Sequence, residues 1–89
     1  MIGKKVKLKE KCAKWYLDNA DIFFVPGTNK HDKSYDAEMQ LFLMCLIGVP
    51  VYGIIDRQGA NNYTWFVDFC VDGLHSDHYY EEDDFEVVK

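Results

Sequence analysis

His75, Asp77 and His78, near the C-terminal end, have side chains of the kind that bind zinc, and Cys70 or Glu81 is a candidate for a further ligand. On a β-strand, however, positions 75 and 78 point to opposite faces, and only Asp77 shares a face with His75. Two convergent ligands are too few for a structural zinc site. We therefore interpret this group as a solvated polar segment, and we expect the chain to bind neither a metal nor any other cofactor.

An uninterrupted acidic run, Glu81-Glu82-Asp83-Asp84, follows soon after these residues. It lacks the alternating ligand spacing and the central glycine of a calcium-binding loop. Carboxylates that act as acid and base need environments that separate their pKa values, and consecutive exposed acids have no such difference. Two interpretations stay open: a solvated face, or an acidic surface that imitates the phosphates of DNA.

The chain offers little support for nucleophilic catalysis. Ser34 and Ser76 lie in polar turns, and neither belongs to a G-x-S-x-G motif. Cys12, Cys45 and Cys70 are odd in number, widely spaced and placed on apolar periodicities, which predicts reduced, buried thiols in a cytoplasmic protein. The glycines form no phosphate-binding motif. We predict that the chain is not an enzyme.

Aromatic side chains indicate a binding surface. Strict alternation over 63–71 places Phe66 on one face of the strand. The opposite, core face holds Tyr63, Trp65, Val67, Phe69 and Val71. Tyr79 and Tyr80 face opposite ways, so one of them turns outward unless another element covers it. Exposed aromatic side chains beside acids and an arginine are typical of a protein-interaction patch. The predicted partner-binding residues are Arg57, Phe66, Tyr79, Tyr80, Glu81, Glu82, Asp83 and Asp84.

A helix is predicted over 35–47, with Gly48 and Pro50 ending it. Apolar residues surround this helix almost completely, so we expect it to be heavily buried. In an alternative interpretation this helix packs on Phe66 or Cys70, and these side chains are then buried beneath it rather than exposed. On the shorter helix over 11–19, the adjacent Trp15 and Tyr16 cannot both pack inward.

Charge is distributed unevenly along the 89 residues, whose net charge is −5. The first 14 residues hold six lysines against Glu10 alone, whereas residues 68–86 hold eight acids and no lysine or arginine. An acidic chain binds nucleic acid poorly because phosphate neutralisation drives that affinity, so direct nucleic-acid binding is not expected. The asymmetry either serves a partner or is neutralised internally, if the basic first strand pairs with the acidic last one.

The order of elements indicates one domain over 1–89. A first strand over 1–9 precedes a largely helical segment, and three strands with tight turns follow from residue 51. A single 3₁₀ turn over 81–84 leads to a last strand over 85–88. No apolar run approaches the roughly 18 residues that would cross a bilayer, so no membrane association is expected.

Four segments carry a resemblance to a known fold. They are the opening Gly3-Lys4-Lys5-Val6, Val51-Tyr52-Gly53-Ile54-Ile55, residues 63–69, and the ending Tyr80-Glu81-Glu82-Asp83-Asp84-Phe85-Glu86-Val87. Over residues 1–9 and 49–89 the chain resembles the SH3-like small β-barrels, in which an aromatic residue and acids precede the closing strand. The resemblance implies an α+β, mainly β domain: a five-stranded antiparallel barrel with a helical insertion at about 10–48, after the first strand. It also implies that the first and last strands lie side by side.

The function most often associated with this fold class is protein interaction. We therefore expect a non-enzymatic interaction module with a protein partner, acting as an inhibitor or adaptor on a host or cellular enzyme, by analogy with small viral or mobile-element proteins. The alternative is an acidic DNA mimic that occupies the nucleic-acid cleft of a nuclease or polymerase. An edge over 74–80 is compatible with a monomer or a homodimer.

Overall fold

The computed structural model describes residues 1–19 and 33–89, together with their side chains except those of 33–36 and 77. The part of the predicted insertion over 20–32 lies outside the described residues. In chain order the elements are β1 (Lys5–Leu8), α1 (Glu10–Asp18), α2 (Lys33–Leu46), β2 (Tyr52–Gln58), β3 (Thr64–Val71), β4 (Leu74–Glu81), a 3₁₀ turn (Glu82–Asp84) and β5 (Phe85–Val87). The fold is therefore mixed α+β, as the sequence predicts.

The strands form one antiparallel sheet in the order β4-β3-β2-β1-β5. β1 pairs with both β2 and β5, so the first and last strands lie side by side, and Lys7 is opposite Glu86. β2, β3 and β4 are consecutive in the chain and adjacent in the sheet. β4 and β5 lie at opposite edges, and the 3₁₀ turn connects them. That crossing brings the acidic turn next to the start of α1, since the Lys9 amide donates a hydrogen bond to the Asp84 carbonyl at 3.0 Å.

The core lies on the face of the sheet that α1 and α2 cover. Alternation in β3 directs Trp65, Val67 and Phe69 inward, and all three are buried, as predicted. α2 packs its fully buried Leu41 and Phe42 on this face. Phe66 and Cys70 lie on the opposite face of β3, so the alternative in which they form the floor beneath α2 is wrong.

Helix α2 is less completely buried than its composition predicts. Its inward stripe of Leu41, Phe42 and Cys45 is buried, but Leu43 is 51% exposed and Leu46 39% exposed. A helix that lies on one sheet presents only about one third of its circumference to that sheet, whatever residues occupy the rest. Among residues 1–19 and 33–89, no helix is both long enough and apolar enough to cross a bilayer.

A buried polar network joins α2 to β4. The Ser76 hydroxyl donates to Oε2 of Glu38 at 2.9 Å, and the Tyr80 hydroxyl lies 2.6 Å from Ser76 Oγ and 3.4 Å from the same carboxylate oxygen. Each hydroxyl has one proton, so the two short distances are satisfied when Tyr80 donates to Ser76 and Ser76 donates to Glu38. The carboxylate of Glu38 is thus held in the core by the Ser76 hydroxyl, which accepts a hydrogen bond from Tyr80 in turn.

Alkaline pH is expected to destabilise the fold. Burial, and next the Glu38 carboxylate, raise the pKa of Tyr80 above its ordinary value of 10.0, and burial raises the pKa of Cys45 above 9.0. The pKa of each of these groups is higher in the folded state than in the unfolded state. At a pH between these two pKa values the folded state therefore holds more protons. The contribution to stability is complete below about pH 9 and is lost as the pH rises further. Each such group contributes a slope of about 1.4 kcal/mol per pH unit at most.

Thermal unfolding between pH 8 and pH 11 measures this effect. The melting temperature should fall steadily above pH 9, and the fall should be shallower in Tyr80→Phe because that variant has no phenol to ionise. A melting temperature that stays constant to pH 11 would contradict the burial of these groups.

Candidate binding groove

The acidic run at 81–84 consists of the last residue of β4 and the 3₁₀ turn, and the side chains of Glu81, Glu82 and Asp83 are exposed. The backbone amide of Glu81 donates to Oδ2 of Asp84 at 3.0 Å, and the Glu81 carboxylate accepts a hydrogen bond from the Asp84 amide. This reciprocal arrangement is a capping box. Oε1 of Glu82 accepts a hydrogen bond from the Trp65 indole at 2.9 Å. Three of the four carboxylates therefore have structural partners, and their positions are fixed.

A groove of about 560 Å³ lies where α1 meets this turn. α1 forms one wall, and the end of β4 together with the turn forms the other. Because α1 starts directly after β1, and β1 pairs with β5, the two walls are held together through the β1–β5 pairing. The described residues that line the groove are Lys11, Cys12, Trp15, Tyr16, Thr64, Tyr79, Tyr80, Glu81 and Asp84.

Aromatic rings give the groove its shape. Tyr16 stacks on Phe42 with the ring centroids 5.1 Å apart, and its edge meets Tyr80 at 6.3 Å. Trp15 meets Tyr16 edge-on at 5.2 Å and remains 52% exposed. The prediction that Trp15 and Tyr16 do not both pack inward is thus confirmed: Tyr16 is anchored in the core, and Trp15 forms an open rim.

Among the described residues that line the groove, two carboxylates and one lysine carry charge. They are Glu81, Asp84 and Lys11. Burial, and next the Asp84 carboxylate, raise the pKa of both Cys12 and Tyr16 well above their ordinary values. These two groups therefore stay neutral at physiological pH and neither add to nor offset the negative charge of the groove.

Three of the predicted partner-binding residues meet on the outer face of the sheet. A bulge in β2 shifts the register between Ile55 and Arg57 and sets Arg57 opposite Phe66. The guanidinium lies 4.0 Å from the centre of the Phe66 ring and 5.9 Å from that of Tyr79. Phe66 and Tyr79 meet edge-to-face at 5.0 Å. We call Arg57, Phe66 and Tyr79 the aromatic cluster.

Ionic and hydrogen-bonding contacts hold Arg57 in this cluster. Its guanidinium forms an ion pair with Asp56 at 2.6 Å, and a hydrogen bond with Tyr79 raises the pKa of Arg57 above its ordinary value. Tyr79 is 48% exposed and also lines the groove. The aromatic cluster and the groove are therefore continuous through Tyr79.

The prediction that Tyr80 is a partner-binding residue on the surface is wrong. It is only 2% exposed, and it faces the core because it pairs with the inward-facing Trp65 across β3 and β4. Its neighbour Tyr79 is the one that turns outward. Asp83 is exposed and lies in the 3₁₀ turn, outside the groove lining.

A second polar constellation lies on the outer face of the sheet, where His75 and Cys70 meet Asp68, a residue that the sequence interpretation did not include. Nδ1 of His75 is 3.0 Å from Oδ1 of Asp68, and Nε2 of the same ring is 3.7 Å from Sγ of Cys70. Cys70 is exposed, so the prediction that all three thiols are buried is wrong for this cysteine, although Cys12 and Cys45 are buried. The signal was present in the sequence: a two-residue turn at Asp72-Gly73 sets position 70 opposite position 75.

Within the described ranges, no three His, Cys, Asp or Glu side chains are placed to hold a metal ion. Compared with protein-family models, with curated proteins and with solved structures, the chain gave no match. Its function is therefore inferred from its own side chains.

Proposed function

We propose that this protein is a non-enzymatic protein-interaction module, acting as an inhibitor or adaptor, and that its groove binds a segment of a partner protein. The observation that supports this function best is the composition of the groove: exposed aromatic rings flank carboxylates whose positions a capping box fixes. Aromatic anchors in a concave site are typical of the residues that contribute most to binding between proteins. Because its walls are already ordered, the groove requires little rearrangement to bind.

The chemistry of the groove favours a lysine or arginine side chain as its occupant. A cation over the Trp15 or Tyr79 ring gains a cation–π interaction of about 0.5–2 kcal/mol. The same cation can donate charge-assisted hydrogen bonds to Glu81 or Asp84, which are shorter and stronger than neutral ones. The partner segment is therefore basic, which agrees with the excess of acids in the C-terminal part of the chain.

The aromatic cluster extends this surface along the outer face of the sheet. Tyr79 belongs to both, so a partner seated in the groove also reaches Phe66 and Arg57. Arg57 lies at this end, where Asp56 already offsets its charge, while the acids of the groove lie at the other. A partner with a basic side chain in the groove would be complementary in charge to those acids, and such complementarity selects partners and orients them.

We also propose that the domain is an SH3-like barrel with a helical insertion after the first strand. The strand order, the adjacency of β1 and β5, and the 3₁₀ turn before β5 support this assignment. In this arrangement α1 supplies a groove wall directly after the first strand.

A peptide array tests the proposed function. The array carries nine-residue peptides with a central Lys, Arg, Glu or Leu, and selected peptides are then titrated in solution by fluorescence polarisation. We expect Lys- and Arg-centred peptides to be retained, and both Trp15→Ala and Tyr79→Ala to weaken the selected ones by about 30-fold or more, since hot-spot truncations cost about 2 kcal/mol or more. Tyr52→Ala is the matched control, because Tyr52 is a partly exposed tyrosine outside the groove.

Two outcomes would contradict the groove as the binding site. One is a selection with no preference for basic peptides. The other is binding that does not change in Trp15→Ala or Tyr79→Ala, becomes weaker in Asp83→Asn and is lost at moderate salt. This second pattern would instead indicate the DNA-mimic function, because salt screens exposed charges but not aromatic contacts.

A further inference from the structure

We propose that Cys70 is a nucleophilic thiol site, with His75 as its general base and Asp68 as a positioning residue, which takes small disulfides by thiol–disulfide exchange. The site lies on the outer face of the sheet and is independent of the groove. It extends the protein beyond binding, because it provides a covalent modification site on an otherwise non-catalytic surface.

Backbone geometry brings the three side chains together. Asp72 and Gly73 have φ values of 50° and 83°, as a two-residue hairpin turn requires. That turn pairs Cys70 with His75 directly across β3 and β4. Asp68 lies two residues before Cys70 on the same face of β3, which makes it the diagonal neighbour of His75.

The contacts of the imidazole determine which nitrogen is basic. The Asp68 carboxylate, when ionised, can only accept a hydrogen bond, so Nδ1 of His75 carries the proton that it donates across 3.0 Å. In the neutral ring the lone pair then lies on Nε2, which is the nitrogen that is 3.7 Å from Cys70 Sγ. This order of carboxylate, imidazole and thiol is that of an activated nucleophile, in which a third group orients the base.

Exposure distinguishes Cys70 from the other two thiols. Cys12 and Cys45 are buried, and burial raises the pKa of both. Cys70 is exposed on an open strand face where a reagent can approach the sulfur. Described side chains near Cys70 include Tyr52, which is opposite it on β2, and Lys5, which lies over the Tyr52 ring at 4.4 Å. Lys7 is opposite Tyr52 on β1, Asp72 follows in the turn, and position 77 on β4 is opposite Asp68.

The reaction is balanced without any further reagent. Nε2 of His75 takes the thiol proton, and the Cys70 thiolate attacks one sulfur of the incoming disulfide. A new S–S bond to Cys70 forms as the original S–S bond breaks, and the released thiolate takes the proton from the imidazolium. Cys70 is oxidised to a mixed disulfide, and one half of the incoming disulfide is reduced to a thiol.

The test incubates the intact protein with oxidised glutathione and follows each cysteine by peptide mass spectrometry. A parallel measurement follows the rate of iodoacetamide alkylation from pH 6 to pH 9. We expect Cys70 to be modified and Cys12 and Cys45 to remain unmodified. His75→Ala should slow the reaction of Cys70 at pH 7 by about tenfold, below the 10²–10⁴-fold typical of general bases because the Sγ contact is long. The same variant should also lose the pH dependence of the alkylation rate that the imidazole provides. Asp68→Asn should slow the reaction of Cys70 by a smaller factor than His75→Ala.

The two buried cysteines show whether a variant has stayed folded. If His75→Ala slows Cys70 while Cys12 and Cys45 remain protected, the loss is due to the base and not to unfolding. A Cys70 rate in His75→Ala within twofold of the parent at every pH would overturn the proposal. Equal modification of all three cysteines in the parent would overturn it as well.

Discussion

Replacing Tyr80 by alanine is expected to lower the free energy of unfolding by about 3–5 kcal/mol, the usual cost of truncating a large buried aromatic side chain. Tyr80 is 2% exposed, and its ring meets the Phe69 ring edge-to-face at 5.0 Å. The substitution also removes the hydroxyl that lies 2.6 Å from Ser76 in the network around Glu38. A domain of this size has about 4–13 kcal/mol of stability in total, so the loss is a large fraction of it.

Two variants separate the contributions of the Tyr80 ring and hydroxyl. Tyr80→Phe keeps the ring and should cost only about 1–2 kcal/mol, the range for a lost buried hydrogen bond. Tyr79→Ala is the neighbouring surface control and should cost about 1 kcal/mol or less, since Tyr79 is about half exposed. Urea unfolding followed by tryptophan fluorescence measures all three. A Tyr80→Ala protein as stable as Tyr79→Ala would place Tyr80 back on the surface.

The second large effect is expected at Gly53, on the core face of β2. A Cβ at this position would lie 2.6 Å from the Asp68 carbonyl oxygen and 2.8 Å from Cδ1 of Phe69. The carbonyl belongs to the backbone of the adjacent strand β3 and cannot retreat without disturbing the β2–β3 pairing. We expect Gly53→Ala to cost about 2–3 kcal/mol through overpacking, and Gly53→Val to cost more.

Alanine at the next position provides the control for Gly53→Ala. Ile54 is 49% exposed on the outer face of the same strand, so Ile54→Ala should cost about 0.5 kcal/mol. Chemical denaturation of the two variants is the measurement. Equal stability of Gly53→Ala and the parent would show that the Asp68 carbonyl of β3 does not lie this close to position 53 of β2.

Much of the sheet was predictable because its determinants are local. Alternation identified the buried face of β3 through Trp65, Val67 and Phe69, and the run of acids before an apolar segment identified the 3₁₀ turn. Tyr63 was predicted to point inward with these residues, but it is 55% exposed because it precedes the first residue of β3. Strand ends depend on pairing with the neighbouring strand, which a period alone does not define.

The groove was harder to predict because its walls come from distant parts of the chain. Tyr79 and Glu81 were identified from the C-terminal sequence, but Lys11, Cys12 and Trp15 are brought to them by the β1–β5 pairing and by the hydrogen bond from Lys9 to Asp84. The choice between Tyr79 and Tyr80, by contrast, was within reach of the sequence. A two-residue turn at 72–73 aligns position 80 with position 65, so the inward orientation of Trp65 also fixes that of Tyr80.

The two walls of the groove are far apart in the sequence, and this determines which forms of the chain can have a groove. One wall comes from residues 11–16 and the other from residues 79–84, so neither the early nor the late part of the chain has a groove by itself. A partner that recognises the groove therefore distinguishes finished molecules from unfinished or cleaved ones. Because such a partner binds only the folded state, its binding free energy adds to the stability of that state and specifically opposes separation of β1 from β5.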